Sequence, residues 1–233
     1  MSRLCWLLLL PGLLLAQEKS LFVNLQLHRD LHRELFTSTV ELFELDRFGT
    51  TFCFSDNDFG HAGAQGSYLE IARNHALLRR SWGVLSASLQ FNDGVLAGDG
   101  MAADGTPIKQ IPRTWLAGAS LAEVKWGAAT FEAQALWRQE FAAGAGWQLT
   151  GVWFYPLPRG FEFLGYVDWN SNATNDQPTS VQAEPQLQYR RGQWAVGSEL
   201  EVSRNFTGAF TTAQGFSYRT WYTHPTLYLR VDF

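Results

Sequence analysis

Hydrophobic and polar residues alternate with a period of two along much of the chain. In the segment Leu21–His28, leucine and valine occupy the odd positions, while Asn24, Gln26 and His28 occupy the even positions. The segment Val84–Asn92 repeats this alternation. Because successive side chains of a β-strand point to opposite faces, each such segment is predicted to be a strand with one apolar and one polar face.

About twelve segments show this pattern, and bacterial outer-membrane barrels have an even number of strands. The predicted strands are Ser20–Asp30, Leu35–Leu45, Thr50–Phe59, Ser67–Asn74, Val84–Asp93, Arg113–Leu121, Ala129–Arg138, Trp147–Tyr155, Gly160–Trp169, Val181–Tyr189, Trp194–Arg204 and Trp221–Phe233. The sequence therefore predicts an all-β fold, a transmembrane antiparallel β-barrel of about twelve strands.

The connections between these strands alternate in length, as they do in outer-membrane barrels. Short turns are predicted on the periplasmic side at Asp46–Gly49, Pro156–Arg159 and Arg190–Gln193. Long polar loops are predicted on the external side at Gly94–Pro112, Asn170–Ser180 and Asn205–Thr220. The segment Asn74–Gly83 is predicted to be an unusually long periplasmic turn.

The first 16 residues, MSRLCWLLLLPGLLLA, have the pattern of a secretory signal peptide. They begin with a basic residue, continue with a leucine-rich core and end at Ala16, near which we predict cleavage. Residues 17–233 would then form the barrel in a bacterial outer membrane.

Composition favours this class over a soluble β-sandwich or a lipocalin-like barrel. Aromatic residues make up 15% of the chain and charged residues only 17%, where about 25% is usual. The formal net charge of −4 gives no basic footprint for nucleic acid. After the predicted signal peptide only Cys53 remains, so no internal disulfide can form.

The chain ends within a strand, at the sequence TLYLRVDF. A closed barrel has no sheet edges, so the last strand is expected to pair with the first. Leu229, Val231 and Phe233 would face the lipid, and together they resemble the C-terminal signal that the barrel insertion machinery reads. Outer-membrane lipid and that machinery are therefore expected partners.

The polar faces predict the lining of a narrow lumen, because twelve strands lie between small filled barrels and wide porins. The predicted pore-lining residues are Asn24, Gln26, His28, Glu41, Glu70, Gln90, Glu132, Asp168, Glu184, Gln186, Gln188, Glu199, Glu201, Tyr228 and Arg230. Amides and acids dominate this set, which suits small polar solutes and disfavours anions.

Two other functions remain open at this point. The lumen could be plugged by ion pairs of its glutamates with Arg73, Arg138 or Arg230, which would leave a structural or interaction barrel without transport. Alternatively, His224 could serve as the base of a lipid-hydrolysing outer-membrane enzyme, with Ser217 as its nominal partner. The first alternative is preferred to the second, and the chain is predicted not to be an enzyme.

Several segments also resemble a family of uncharacterised outer-membrane proteins of similar length. The resemblance rests on Thr39–Gly49, Tyr68–Arg73, Trp115–Gly118, Gln148–Trp153, Glu184–Gln186 and Gly197–Glu201. That family is distantly similar to the nucleoside-specific channel-forming porins of the Tsx type. The resemblance implies a twelve-stranded barrel and passive diffusion of small polar solutes such as nucleosides.

No cofactor or metal site is predicted. His28 and His32 have the spacing of paired ligands on a helix, but they fall in a predicted strand and a loop. The Asp56-Asn-Asp58 run lacks the spaced ligands of a calcium loop, and we interpret it as capping a strand at the outer rim.

Overall fold

A computed structural model describes residues 19–61, 63–97, 108–141, 144–171, 179–205 and 221–233 of the chain. The strands are β1 (Ser20–Asp30), β2 (Phe36–Asp46), β3 (Gly49–Gly60), β4 (Gly63–Arg80), β5 (Gly83–Ala97), β6 (Ile108–Trp126), β7 (Ala129–Glu140), β8 (Gly144–Pro156), β9 (Phe161–Ser171), β10 (Thr179–Ala183, continued by Gln186–Arg191), β11 (Trp194–Arg204) and β12 (Trp221–Asp232). The predicted signal peptide and parts of three predicted external loops lie outside these residues.

The strands form one antiparallel sheet that closes on itself. Within the described residues each of the twelve strands pairs with its neighbours in sequence, and β12 also pairs with β1. At this seam the register runs from Asn24 opposite Asp232 to Asp30 opposite Thr226. The predicted closed antiparallel barrel, with its last strand against its first, is confirmed.

The two ends of the barrel differ in the length of their connections. One end, here called the short-turn end, carries the tight turns of residues 47–48, 81–82, 127–128 and 192–193 and a 3₁₀ turn at Pro158–Gly160. The opposite end, here called the loop end, carries the connections of residues 31–35, 98–107, 172–178 and 205–220. In the part of the chain that the structure describes, no helix is long and apolar enough to span a membrane.

The predicted long turn at Asn74–Gly83 is wrong, because β4 continues to Arg80. The pairing of β4 with β5 shifts between Ala76 and Leu78, so Leu77 is an extra residue in the ladder. A β-bulge of this kind interrupts the period of two while the strand itself continues. The strands β5 and β6 are also longer than predicted, and each contains a register shift.

The tenth strand is interrupted at Glu184-Pro185. Both of its segments pair with β9 and β11, so they form one strand with a break. Proline has no N–H group for the ladder. The facing Gly165 has a φ of +151°, and a Cβ atom there would lie 2.4 Å from the carbonyl oxygen of Glu184. Glycine is therefore required where the broken strand approaches its neighbour.

The outward face of the barrel is apolar. Leu27 and Leu229 lie opposite each other across the seam, and both are about half exposed. Aromatic side chains are exposed near both ends, with Trp82, Trp126 and Trp194 toward the short-turn end and Trp115, Trp137 and Trp169 toward the loop end. An apolar belt with aromatic rims is the surface that an outer-membrane barrel presents to lipid.

Candidate functional site in the barrel interior

Polar side chains point into the barrel along alternate positions of each strand. In β1 the exposed fraction is 4% for Gln26 and 52% for its neighbour Leu27. This difference shows that the even-numbered residues of β1 point inward. The pairing of each strand with the next then identifies the inward residues of the other strands. All fifteen residues predicted to line a pore lie on the inward rows. Whether they line open water stays a prediction.

One group of these residues forms a chain of hydrogen bonds near the seam. Asn24 Nδ2 donates to Glu41 Oε2 at 2.7 Å, and Gln26 Nε2 donates to Asn24 Oδ1 at 3.0 Å. His28 Nε2 lies 3.0 Å from Gln26 Oε1. Arg230 Nη1 reaches the same Glu41 carboxylate at 3.5 Å. Each of these polar groups therefore has a partner within the interior.

A second group joins β10 to its neighbours. Gln186 Nε2 donates to Glu199 Oε2 at 2.5 Å, and the Tyr228 hydroxyl donates to Gln188 Oε1 at 3.0 Å. Gln188 donates in turn to Glu162, whose carboxylate also receives Arg190. The Tyr228 ring stacks on His28 with ring centroids 4.9 Å apart. Tyr228 thus links this group to the residues at the seam.

A third group crosses the interior between strands that are not neighbours. The Glu132 Oε1 atom of β7 accepts from Ser120 Oγ at 2.6 Å, from Gln134 Nε2 at 2.7 Å and from Asn74 Nδ2 at 3.3 Å. Asn74 belongs to β4, and Gln90 of β5 donates to Gln134 at 2.6 Å. Because side chains of separated strands touch, the interior is narrow in this section.

The remaining predicted residues lie where carboxylates from opposite walls approach one another. Glu70 of β4 receives the Tyr68 hydroxyl at 3.1 Å and lies within electrostatic range of Asp168 of β9. Glu184 lies within electrostatic range of both Glu199 and Glu201. We call six inward carboxylates the central acid cluster: Asp56, Glu70, Asp168, Glu184, Glu199 and Glu201.

Asp56 was not among the predicted pore-lining residues, and its interpretation as a cap at the outer rim is wrong. It lies within β3 and faces the interior, where it accepts a hydrogen bond from Thr39 Oγ1 at 2.5 Å. It also lies within electrostatic range of Glu184 and Glu201 on the opposite wall. Asp56 lies in the polar run Ser55–Asp58, where residues do not alternate, so alternation could not reveal its face.

The interior carries far more negative than positive charge. Among the described residues, thirteen inward side chains are carboxylates: Asp30, Glu41, Asp56, Asp58, Glu70, Glu132, Glu140, Glu162, Asp168, Glu184, Glu199, Glu201 and Asp232. Four guanidinium groups point into the same space in these ranges: Arg33, Arg138, Arg190 and Arg230. The electrostatic environment is therefore that of a cation site.

The ion pairs considered from the sequence occur only in part. Arg230 pairs with Glu41, while Arg138 pairs with Glu140 at 2.8 Å. Arg73 lies on the outward row and pairs with Asp46 near the short-turn end. Sequence reasoning missed two interior cations. Arg190 fell within a predicted turn, although it pairs with Glu162. Arg33 lies in the connection of residues 31–35, where alternation gives no information.

On β1, β2, β3 and β8 the inward rows change from polar to apolar toward the short-turn end. Phe22, Phe43 and Phe52 occupy successive positions on β1, β2 and β3, while Val152 and Phe154 occupy the inward row of β8. Phe22 is 57% exposed and Phe43 is 39% exposed. We call these five residues the short-turn vestibule. Sequence reasoning missed the vestibule, although Phe22 lies two residues before Asn24 and therefore on the same face of β1.

The arrangement at His224 does not match a hydrolytic triad. His224 is buried in the interior opposite Glu201, and Ser203 lies two positions further along β11. In a triad the histidine bonds to the serine hydroxyl, whereas His224 Nε2 and Ser203 Oγ each have no hydrogen-bond partner. The predicted partner Ser217 lies outside the described residues.

Within the described residues no group of three or more His, Cys, Asp and Glu side chains could hold a metal ion.

Solved porins share this architecture. The KdgM porin superposes with a TM-score of 0.56 at 8% sequence identity, covering 91% of this chain and 99% of that chain. The NanC porin gives a TM-score of 0.56 at 11% identity, covering 91% of this chain and 98% of that chain. A KdgM porin in complex with disordered oligogalacturonate gives a TM-score of 0.54 at 7% identity, with 91% and 99% covered. At these identities the similarity establishes a porin-like barrel fold.

No curated protein matches the sequence. A match to a protein family covers residues 22–233, which span all the described strands except the first two residues of β1. The chain belongs to the family described as a domain of unknown function, DUF5020.

Proposed function

We propose that this protein is an outer-membrane channel for the passive diffusion of small solutes, and that it favours cations and neutral polar solutes over anions. The closed barrel, its apolar outward belt and its porin-like fold support a position in the outer membrane. In that position the short-turn end would face the periplasm and the loop end the exterior, as in other barrels of this kind.

The observation that carries this proposal is the excess of carboxylates in the interior. Rings of acidic side chains raise the local concentration of cations and repel anions in a narrow pore. The carboxylates of the central acid cluster approach one another from different walls, so a solute that crosses the interior would have to pass them. The amides of Gln26, Gln90, Gln186 and Gln188 add donors and acceptors that can bind a neutral solute.

One structural relative was solved with an acidic oligosaccharide, and the interior charge of the present barrel argues against such a solute. That porin was solved with oligogalacturonate, a chain of sugar acids that carries one carboxylate on each unit. Thirteen inward carboxylates among the described residues of the present barrel would repel such a chain. We therefore expect this protein to exclude acidic oligosaccharides despite the shared fold.

A plugged barrel without transport is the second candidate, and one observation favours it. Gln26, Gln188 and Tyr228 are almost completely buried, and each makes a hydrogen bond to another interior side chain. The section near the seam is therefore closely packed. Conduction would require these side chains to separate, and a bilayer recording decides between the two candidates.

The decisive measurement is the reversal potential across a planar bilayer under a salt gradient. We expect the wild type to be cation-selective and the double variant Glu199→Gln, Glu201→Gln to be less so. The selectivity should fade as salt shortens the screening length from ~10 Å at 0.1 M to ~3 Å at 1 M. A matched control is Glu34→Gln with Glu123→Gln, since both residues lie outside the strand rows that face the interior.

Anion selectivity in the wild type would refute the proposal. A conducting Glu199→Gln, Glu201→Gln variant with unchanged selectivity would remove these two residues from the pore. No conductance in repeated insertions of folded protein would favour the plugged barrel.

The identity of the solute is a finer part of the proposal. Nucleosides are small, polar and mostly neutral, so they fit an interior rich in amides, and the resemblance to nucleoside channels points the same way. Swelling of proteoliposomes in isotonic nucleoside, neutral disaccharide and oligogalacturonate solutions would rank the three classes. We expect the fastest swelling with nucleosides and none with oligogalacturonate.

A further inference from the structure

Near the loop end of the interior lie three buried polar atoms that have no hydrogen-bond partner among the described residues. They are Glu201 Oε1, Ser203 Oγ and His224 Nε2. Their residues are 8%, 0% and 0% exposed, respectively. A buried polar group without a partner costs free energy, so such groups are candidate contacts for a ligand.

The pairing of β11 with β12 brings the three residues together. Glu201 lies directly opposite His224, and Ser203 is the next inward residue on the same strand. Directly opposed side chains have Cβ atoms about 5 Å apart, and inward neighbours on one strand are separated by about 7 Å. The three groups therefore line one small patch of the interior wall.

A cation from outside the barrel wall already occupies part of this patch. Arg33 lies in the connection between β1 and β2, and its Nη2 atom donates to Glu201 Oε2 at 2.8 Å. Its Nε atom donates to Asp30 Oδ2 at 2.6 Å. The guanidinium group thus bridges two carboxylates that belong to the wall, while the other Glu201 oxygen has no partner.

The neighbouring His32 holds the same connection against the wall. Its Nδ1 atom lies 3.1 Å from His224 Nδ1 and 3.4 Å from the carbonyl oxygen of Thr223. His32 is exposed, and the Arg33 side chain retains 21% of its accessible surface. The position that Arg33 fills is therefore partly open to solvent.

Charge and donor chemistry define the kind of group that fits. Glu201 lies within electrostatic range of Glu184 and Glu199, so an added negative group is repelled and an added positive group is stabilised. Guanidinium and ammonium groups carry several N–H donors and no acceptor, which matches a carboxylate pair beside a hydroxyl. The described residues offer no three-ligand metal site here, so an organic cation is the fitting occupant.

We propose that Asp30 and Glu201, with Ser203 and His224 beside them, bind the guanidinium or ammonium group of a small cationic solute, and that Arg33 fills this site when no solute is present. The role of this site in transport rests on the proposed function, since a cation-selective channel would bind its solute here before the solute crosses the barrel. The binding site itself can be tested without conduction.

The test is isothermal titration of the purified, folded barrel in detergent with methylguanidinium chloride. Arg33→Ala removes the internal competitor, so we expect it to bind methylguanidinium at least about tenfold more tightly than the wild type. Adding Glu201→Gln to Arg33→Ala should abolish that binding. The gain in affinity of Arg33→Ala over the wild type should also shrink with added salt, because salt screens a charge pair near solvent.

The matched control is Arg29→Ala. Arg29 precedes the same connection, but it faces outward and donates a hydrogen bond to the carbonyl oxygen of Glu34. This variant should bind methylguanidinium as weakly as the wild type. Arg33→Gln preserves side-chain length and serves where Arg33→Ala does not fold. In the wild type, Glu201→Gln should remove whatever weak binding is present.

Binding to Arg33→Ala or Arg33→Gln that is no tighter than to Arg29→Ala would overturn the proposal, as would binding that Glu201→Gln leaves unchanged. Conduction of cations without this binding would refute the proposed site and leave the proposed channel standing. Binding of methylguanidinium without conduction would support the site and refute the channel.

Discussion

The short-turn vestibule and the section around the central acid cluster are two parts of one interior with opposite chemistry. In the vestibule Phe22 and Phe43 contact each other, with ring centroids 6.3 Å apart, and remain open to solvent. Around the acid cluster the side chains are polar, largely buried and joined by hydrogen bonds. The vestibule side chains are therefore open to solvent, whereas those of the polar section are packed together.

This difference indicates where selectivity would arise. A carboxylate acts strongly on a solute only where water is largely excluded, because a low effective dielectric constant strengthens charge interactions. The exposed phenylalanines of the vestibule cannot discriminate by charge. They can only admit solutes to the polar section, where Arg138, Glu140 and Asp168 are paired and partly or fully buried.

The largest expected effect comes from breaking a pair in the polar section. Arg138→Met leaves Glu140 buried without its counter-ion and removes a donor to Gln148. Removing one partner of a buried pair costs about 3–5 kcal/mol. The free energy of unfolding measured in urea should fall by that amount. Arg113→Met is the control, because its pair with Asp93 is exposed and should contribute less than about 1 kcal/mol.

An equal loss of stability in the Arg138→Met and Arg113→Met variants would show that the polar section is no more tightly organised than the exposed end of a strand. The contrast between the two parts of the interior would then be wrong.

A smaller effect is expected from truncating apolar residues in the two parts. Leu116 faces the interior beside the polar section and is 1% exposed. Leu116→Ala should cost about 2–5 kcal/mol, because it leaves a cavity. Phe43→Ala in the vestibule should cost roughly 1 kcal/mol, since little of its surface leaves water. Urea unfolding of both variants in the same lipid measures the difference, and the reverse order would contradict it.

The third prediction concerns conductance. Tyr228→Ala removes a ring that stacks on His28 and bonds to Gln188, so it should widen the narrow section and raise single-channel conductance. Phe154→Ala widens only the vestibule, so conductance should stay at the wild-type value. A larger increase for Phe154→Ala would place the constriction at the short-turn end instead.

The fold could be read from the sequence wherever the alternation of residues was unbroken. The bounds of β1 and β11 were predicted as the structure has them. The prediction failed in β4, where the bulge at Leu77 hides the period, and it missed the interruption of β10 at Pro185. Register shifts depend on how two strands pair, and a single strand's sequence does not contain that information.

The candidate site was predictable only in part for the same reason. Parity placed Glu199 and Glu201 on one face, but it could not show which groups meet them across the interior. Arg33 lies in a connection, where side-chain direction follows from contacts formed after the barrel closes. Asp56 belongs to a run of polar residues, so its face could not be recognised from its neighbours.

The seam between β1 and β12 has a consequence for how the barrel forms. Every other pairing among the described strands joins neighbours in sequence, so it closes a hairpin at a small cost in chain entropy. The seam joins residues about two hundred positions apart, and contacts of such separation form slowly. Folding should therefore proceed as a growing row of hairpins with two open edges, and closure of the seam should be the late, rate-limiting step.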